Sequence, residues 1–370
     1  MANNESLKYL FSIVVLYLGF HGTAYTQRTD SLRKNNHWIV VPIVSRSIET
    51  DWSFGVGANY TFHTNRKKDT LTRTSSINFV GSYSLRKQFL LLLNGPVFFP
   101  GEHFILYNHY SYSYFPDRFW GLGNGTDPEQ EEPYEFGQYY INLHGKRQLA
   151  QKLFLGLILD FQRVTDMHIR SNGWFDRQDV AGRNPYQVGG LGMSVSWDNR
   201  NYTFWPMKGK LLSLTYHHYA PVFLSDYTFS SLQFDSRFFY TIQRRHVLAF
   251  QAFAQMNIGK EVPIRSLASL GGSDKMRGYF NGRFRDRHYV LFQSEYRFPL
   301  LKRISGVGFC GLGDVAGPNS TTSLQNLKYS YGAGLRYAIN KYEKLHIRFD
   351  YALGRGKGNH GFYVQLGEAF

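Results

Sequence analysis

Cysteine is almost missing from this chain: Cys310 is the single one in 370 residues, so no intrachain disulfide can form and zinc sites built on cysteine clusters are excluded. Long apolar runs are missing too. The stretch from Tyr9 to Phe20 is about a dozen residues, short of the ~20 a membrane-spanning helix needs, and no later segment supplies such a run. Negative charge is also scarce, with 27 Asp and Glu against 42 Lys and Arg, a formal net charge of +15. In a cytosolic chain that excess would suggest nucleic acid. In an exported chain it points to other polyanions, notably phosphorylated lipid headgroups, and no nucleic-acid partner is expected.

Export follows from the first residues. Lys8, the apolar run and the small residues through Ala24 stand in the order of a secretory signal. The expected organisation is a signal peptide over 1–24, a short N-terminal segment over 25–36 and one domain over 37–370. About a dozen residues between cleavage site and first strand leave no room for a folded periplasmic domain.

Aromatic residues are abundant: 31 Phe, 27 Tyr and 6 Trp. From about His37 to the end, apolar and polar residues alternate with period two, broken by clusters of Gly, Asn, Asp and Pro. Leu155, Leu157, Leu159 and Phe161, for example, alternate with Gly156, Asp160 and Gln162. One face suits lipid and the other water, which is the pattern of an all-β transmembrane antiparallel β-barrel. Counting segments gives about sixteen strands, the last over 360–370. Long connections at 116–133, 166–186 and 260–287 contrast with tight ones at 149–151 and 243–245, which places the long loops on the extracellular side.

The 260–287 loop carries the densest chemistry. Gly271 to Asp286 holds four glycines and three arginines in sixteen residues, and such loops are structured and functional more often than bland. Met276-Arg277-Gly278-Tyr279, preceded by Gly271-Gly272 and followed by Glu295-Tyr296-Arg297-Phe298-Pro299, resembles the Val/Ile-Arg-Gly-Phe/Tyr signature of the bacterial surface antigen family, the outer-membrane barrel superfamily of BamA and TamA. Trp197-Asp198-Asn199-Arg200 with Pro206 and Gly209 is similar to its strand-turn element, and the last two strands resemble those of the family. The chain would be a short form without periplasmic POTRA domains. One motif departs: Phe309-Cys310-Gly311-Leu312-Gly313-Asp314 has glycine where the family has an acid.

The resemblance implies a loop folded back into the barrel with Arg277 pinned to an inner-wall acid, Gly278 allowing the turn and Tyr279 packing. Parity along the strands puts Glu295 and Asp350 on the inner face, and Asp314 is a third candidate. The alternation Phe362, Val364, Leu366, ending in Phe370, resembles the terminal-strand signal of outer-membrane barrels; its plainer reading is a lipid-facing edge strand with a girdle aromatic. Glycines at 354, 356, 358, 361 and 367 have two readings of equal standing: they weaken pairing near the junction of first and last strands, or they serve turns.

The function expected is non-enzymatic: insertion, translocation or lipid movement at the bacterial outer membrane. Partners would be outer-membrane lipid and lipopolysaccharide, with other outer-membrane or periplasmic assembly subunits. A passive pore is the alternative. A lipid hydrolase is a third reading, because His109 and Ser111 share a strand face, but no Gly-x-Ser-x-Gly element exists. No cofactor or metal is expected; His217 and His218 point to opposite faces of one strand.

Overall fold

The computed structural model describes residues 37–64, 72, 74–178, 180–202, 205–243, 245–318, 326–340 and 345–370. The signal peptide and the 25–36 segment expected above lie outside them. Asn36–Phe370 forms one compact unit. Its strands are β1 (His37–Ser47), β2 (Asp51–Phe62), β3 (Ser75–Ser84), β4 (Phe89–Phe98), β5 (Phe104–Phe119), β6 (Glu132–Ala150), β7 (Leu153–His168), β8 (Tyr186–Asp198) and β9 (Gly209–Tyr219). Then follow β10 (Phe229–Gln243), β11 (His246–Gly259), a short pair β12 (Ala268–Leu270) and β13 (Phe284–Asp286), β14 (His288–Pro299), β15 (Ile304–Ala316), β16 (Lys328–Asn340), β17 (Leu345–Gly354) and β18 (His360–Leu366).

Sixteen of these close into an antiparallel barrel; β12 and β13 form a separate hairpin inside the 260–287 connection. Closure pairs backbone groups that lipid could not satisfy, so the alternating side chains alone decide what faces the membrane. On β7, Leu157 and Leu159 are exposed while Ile158 and Asp160 are buried. That is the period-two pattern read directly in three dimensions.

Two features differ from the sequence reading. The loop hairpin β12–β13 is too short to show periodicity, so it was invisible there. The last strand ends at Leu366 rather than running to Phe370: Gly367 takes a left-handed φ of +87°, and Phe370 turns inward, 4% exposed, against Phe239 and Ala249. Phe370 is therefore not a lipid-facing girdle residue. Apolar partners were waiting inside the barrel base, and burial there outweighs exposure to headgroups.

Candidate functional site

The 260–287 loop enters the barrel because its glycines let the backbone bend sharply and its arginines find acids on the wall. At Gly278 φ is +103°, and a Cβ would lie 2.9 Å from the Gly354 nitrogen and the Leu353 carbonyl carbon on β17. Only glycine fits both constraints. Beside it the Tyr279 ring lies over Gly354, buried, and the Tyr279 hydroxyl donates to the Tyr329 carbonyl at 2.9 Å.

Arg277 is 2% exposed and divides its fork between two strands. Nη1 donates to Asp350 Oδ2 on β17 and Nη2 to Glu295 Oε1 on β14, both at 2.6 Å, while the guanidinium stacks 3.5 Å from the Phe309 ring centroid. Burial works against the Arg277 charge, but Glu295 and Asp350 outweigh it and hold the guanidinium above its ordinary range. A lysine could not span two acids this way.

The same acids serve further arginines. Arg336 Nη1 donates to Asp350 Oδ1 at 2.5 Å and Arg336 Nε to Glu368 Oε2 at 2.7 Å. Arg297 Nε donates to Glu295 Oε2 at 2.9 Å, and its Nη2 reaches the Phe370 carbonyl at 3.0 Å, linking the loop anchor to the inturned C-terminal residues. Arg348 Nη2 reaches Asp274, inside the loop itself, at 2.6 Å. Buried charges persist only in networks of this kind, where each has a partner and breaking one link strands another.

Gly311, where an acid was expected, has a different use. A Cβ there would lie 3.1 Å from the Met276 sulfur, so the thioether occupies the space an acidic side chain would need. Asp314 does not substitute for it: both its oxygens accept from Asn124 Nδ2, at 3.0 and 3.2 Å.

Several contacts were not read from the sequence. Arg285 Nη2 and Arg265 Nη1 both donate to Asp117 Oδ2 on β5, at 2.9 and 3.0 Å, and Arg283 Nη1 donates to Thr126 Oγ1 at 2.6 Å. The loop is thus tied to opposite walls. The strand-turn element enters from the other end: Asp198 accepts from Arg200 Nε and Nη2, Gly209 opens β9 at φ +105°, and Trp205 beside Pro206 is buried against Val307, Phe309 and Tyr363. Arg297 sits 4.9 Å from the Trp205 ring. Its parity with Glu295, two residues away, was the available signal.

Of the terminal residues, Phe362 stacks under the Arg46 guanidinium at 5.7 Å, Leu366 is exposed to lipid and Val364 is the β18 residue paired with β1. That pairing is the weak point of the barrel. β1 and β18 are joined at one residue pair, Arg46↔Val364, whereas β1 pairs with β2 along its whole length. The inward turn at Gly367 takes the remaining C-terminal residues away, leaving the β1 edge from Trp38 to Ser45 without a β18 partner. The loop bridges this seam from inside: the Gly278 N–H donates to Tyr363 Oη on β18 at 2.9 Å, and the Asn281 N–H to Glu49 Oε1, in the turn after β1, at 2.7 Å.

His109 and Ser111 face the lumen rather than lipid; His109 meets the Tyr140 ring edge-on at 5.3 Å, and Tyr140 donates to buried Asp160. Among the described residues no His, Cys, Asp and Glu group is arranged to hold a metal ion.

The Omp85 superfamily domain matches residues 43–370. Among solved structures, BamA from Haemophilus ducreyi lacking POTRA domains 1–3 superimposes with a TM-score of 0.59 at 14% identity, covering 90% of this chain and 70% of that one. CdiB from Acinetobacter baumannii gives 0.56 at 13%, covering 90% and 60%, and CdiB from Escherichia coli 0.58 at 11%, covering 89% and 62%. No curated protein sequence matches.

Proposed function

The chain belongs to the Omp85 superfamily, and from that premise we propose that it is a non-enzymatic outer-membrane barrel that passes client molecules between its interior and the membrane through the β1–β18 seam. The supporting observation is the single residue pair that joins these strands. An unpaired strand edge in lipid is unfavourable unless something pairs with it or covers it, so the β1 edge is poised to accept a partner. The lumenal loop holds the closed state, because it bonds to both sides of the junction and is itself anchored through Arg277.

A disulfide across the seam tests this. In a Cys310→Ser background, Arg46→Cys with Val364→Cys joins the two paired positions. Oxidation is expected to abolish photocrosslinking of clients to the β1 edge in native outer membrane, and reduction to restore it. Unchanged client capture in the locked barrel would sink the proposal.

A further inference from the structure

The inner wall of β1 to β4 is unlike the rest of the lumen. Ile39, Val41 and Ile43 on β1, Val80 on β3, and Leu90 and Leu92 on β4 share the inward parity, and none joins a packed apolar cluster of the described residues. Ile39 is 55% and Val41 40% exposed, although both point away from the lipid that their neighbours Trp38 and Val40 face. Elsewhere the inner wall holds polar and charged side chains or packs against the loop, Trp205 or Phe370. The aliphatic residues fill two neighbouring register rows, Val41 to Leu92 and Ile43 to Leu90, which at ~3.3 Å per residue and ~4.8 Å per strand cover about 7 Å by about 14 Å.

A polar line borders it. Asn59, Asn78, Asn94, His109, Asn142 and Asp160 stand directly opposite one another across β2 to β7, one residue per strand. Asn59 Nδ2 donates to Asn78 Oδ1 at 2.6 Å, Asn78 Nδ2 to Asn94 Oδ1 at 3.2 Å, and Asn142 Nδ2 to Asp160 Oδ1 at 2.7 Å. Along β6, His144 and then Lys146 follow Asn142 on the same face and hydrogen-bond Ser194 and Ser196 on β8. Aliphatic wall and amide line together make an amphipathic surface, and on β1 that surface ends at the seam.

We infer that this wall is a lumenal binding site for a membrane phospholipid, its acyl chain against Val80, Leu90 and Leu92 and its headgroup along the Asn59–Asn78–Asn94 line. One observation favours a lipid over a protein segment. The aliphatic surface continues at β1 into the membrane-facing exterior, where Trp38, Val40 and Val44 are exposed, so an acyl chain stays in apolar surroundings on the way in. The inference names the client of the seam proposed above and rests on that reading for the way in.

The test uses the full chain in vesicles of phosphatidylethanolamine and phosphatidylglycerol, with a benzophenone amino acid at Leu92, or at outward-facing Leu93 as control, and mass spectrometry of the adducts. A phospholipid adduct at position 92 is expected, falling about tenfold in Val80→Asp, the change that ~1.4 kcal/mol of lost contact produces. The Leu93 adduct, which reports folding in the membrane, is expected to be unaffected by Val80→Asp. No lipid adduct at position 92 while position 93 reacts, or an adduct to the chain's own residues before His37, overturns the lipid site. An adduct at 92 that forms equally in barrels oxidised across 46 and 364 before lipid is added keeps the site and overturns the seam as its route.

Discussion

At the scale of single residues, Arg277 carries the loop. Replacing it with alanine leaves Glu295 and Asp350 buried with Arg297 and Arg336 still beside them. The expected destabilisation is therefore about 3 kcal/mol, the lower end for breaking a buried ion pair. Limited proteolysis should then cut within 260–287, with Arg277→Lys intermediate because an ammonium serves one acid at a time. A loop in Arg277→Ala as resistant as in the parent would contradict the anchor. Lys275 tests the loop from another direction. Burial pushes its ammonium from an ordinary 10.5 down to about 8, with the Phe253 ring 3.4 Å away. The folded loop therefore binds fewer protons than the released one between about pH 8 and 10.5, so loop stability rises across that window and levels off above it, where the lysine is neutral in both states. Protease protection should increase over the same range, and Lys275→Met should flatten the dependence.

At the scale of elements, the alternation of β7 and β14 was legible because each strand has lipid on one face and packed or polar lumen on the other. Glu295 and Asp350 could be placed inward by parity alone. What the sequence did not disclose is where a strand stops. Phe362, Val364, Leu366 and Phe370 read as one continuous pattern, yet the pattern says nothing about Gly367 turning the chain inward to meet Phe239. Likewise, Gly311 reads as a missing acid until Met276 is seen above it. Contacts between segments far apart in sequence, such as Arg285 with Asp117, leave no local period to find. The inturned end has its own consequence: Phe370→Ala should lower thermal stability by about 3 kcal/mol through the cavity it leaves, whereas Leu366→Ala on the lipid face should change it far less. Equal effects in a thermal unfolding series would place Phe370 outside the core.

At the scale of the whole molecule, the barrel is filled from both ends, by the arginine-anchored loop on one side and by Trp205 and Phe370 on the other. A lumen so occupied argues against a permanently open pore. In planar bilayers the parent chain should show little steady current and Arg277→Ala more frequent openings; a large steady current independent of Arg277 would favour the passive pore instead. The β1–β18 junction is the pliable line of the structure. Hydrogen–deuterium exchange on the membrane-embedded chain measures this directly. Those amides of residues 38–45 that point toward β18 should exchange about a hundredfold faster than amides of β10 and β11, as ~3 kcal/mol less opening energy dictates. Protection of that edge equal to that of β10 and β11 would show a barrel sealed all the way round, with no pliable seam between β1 and β18.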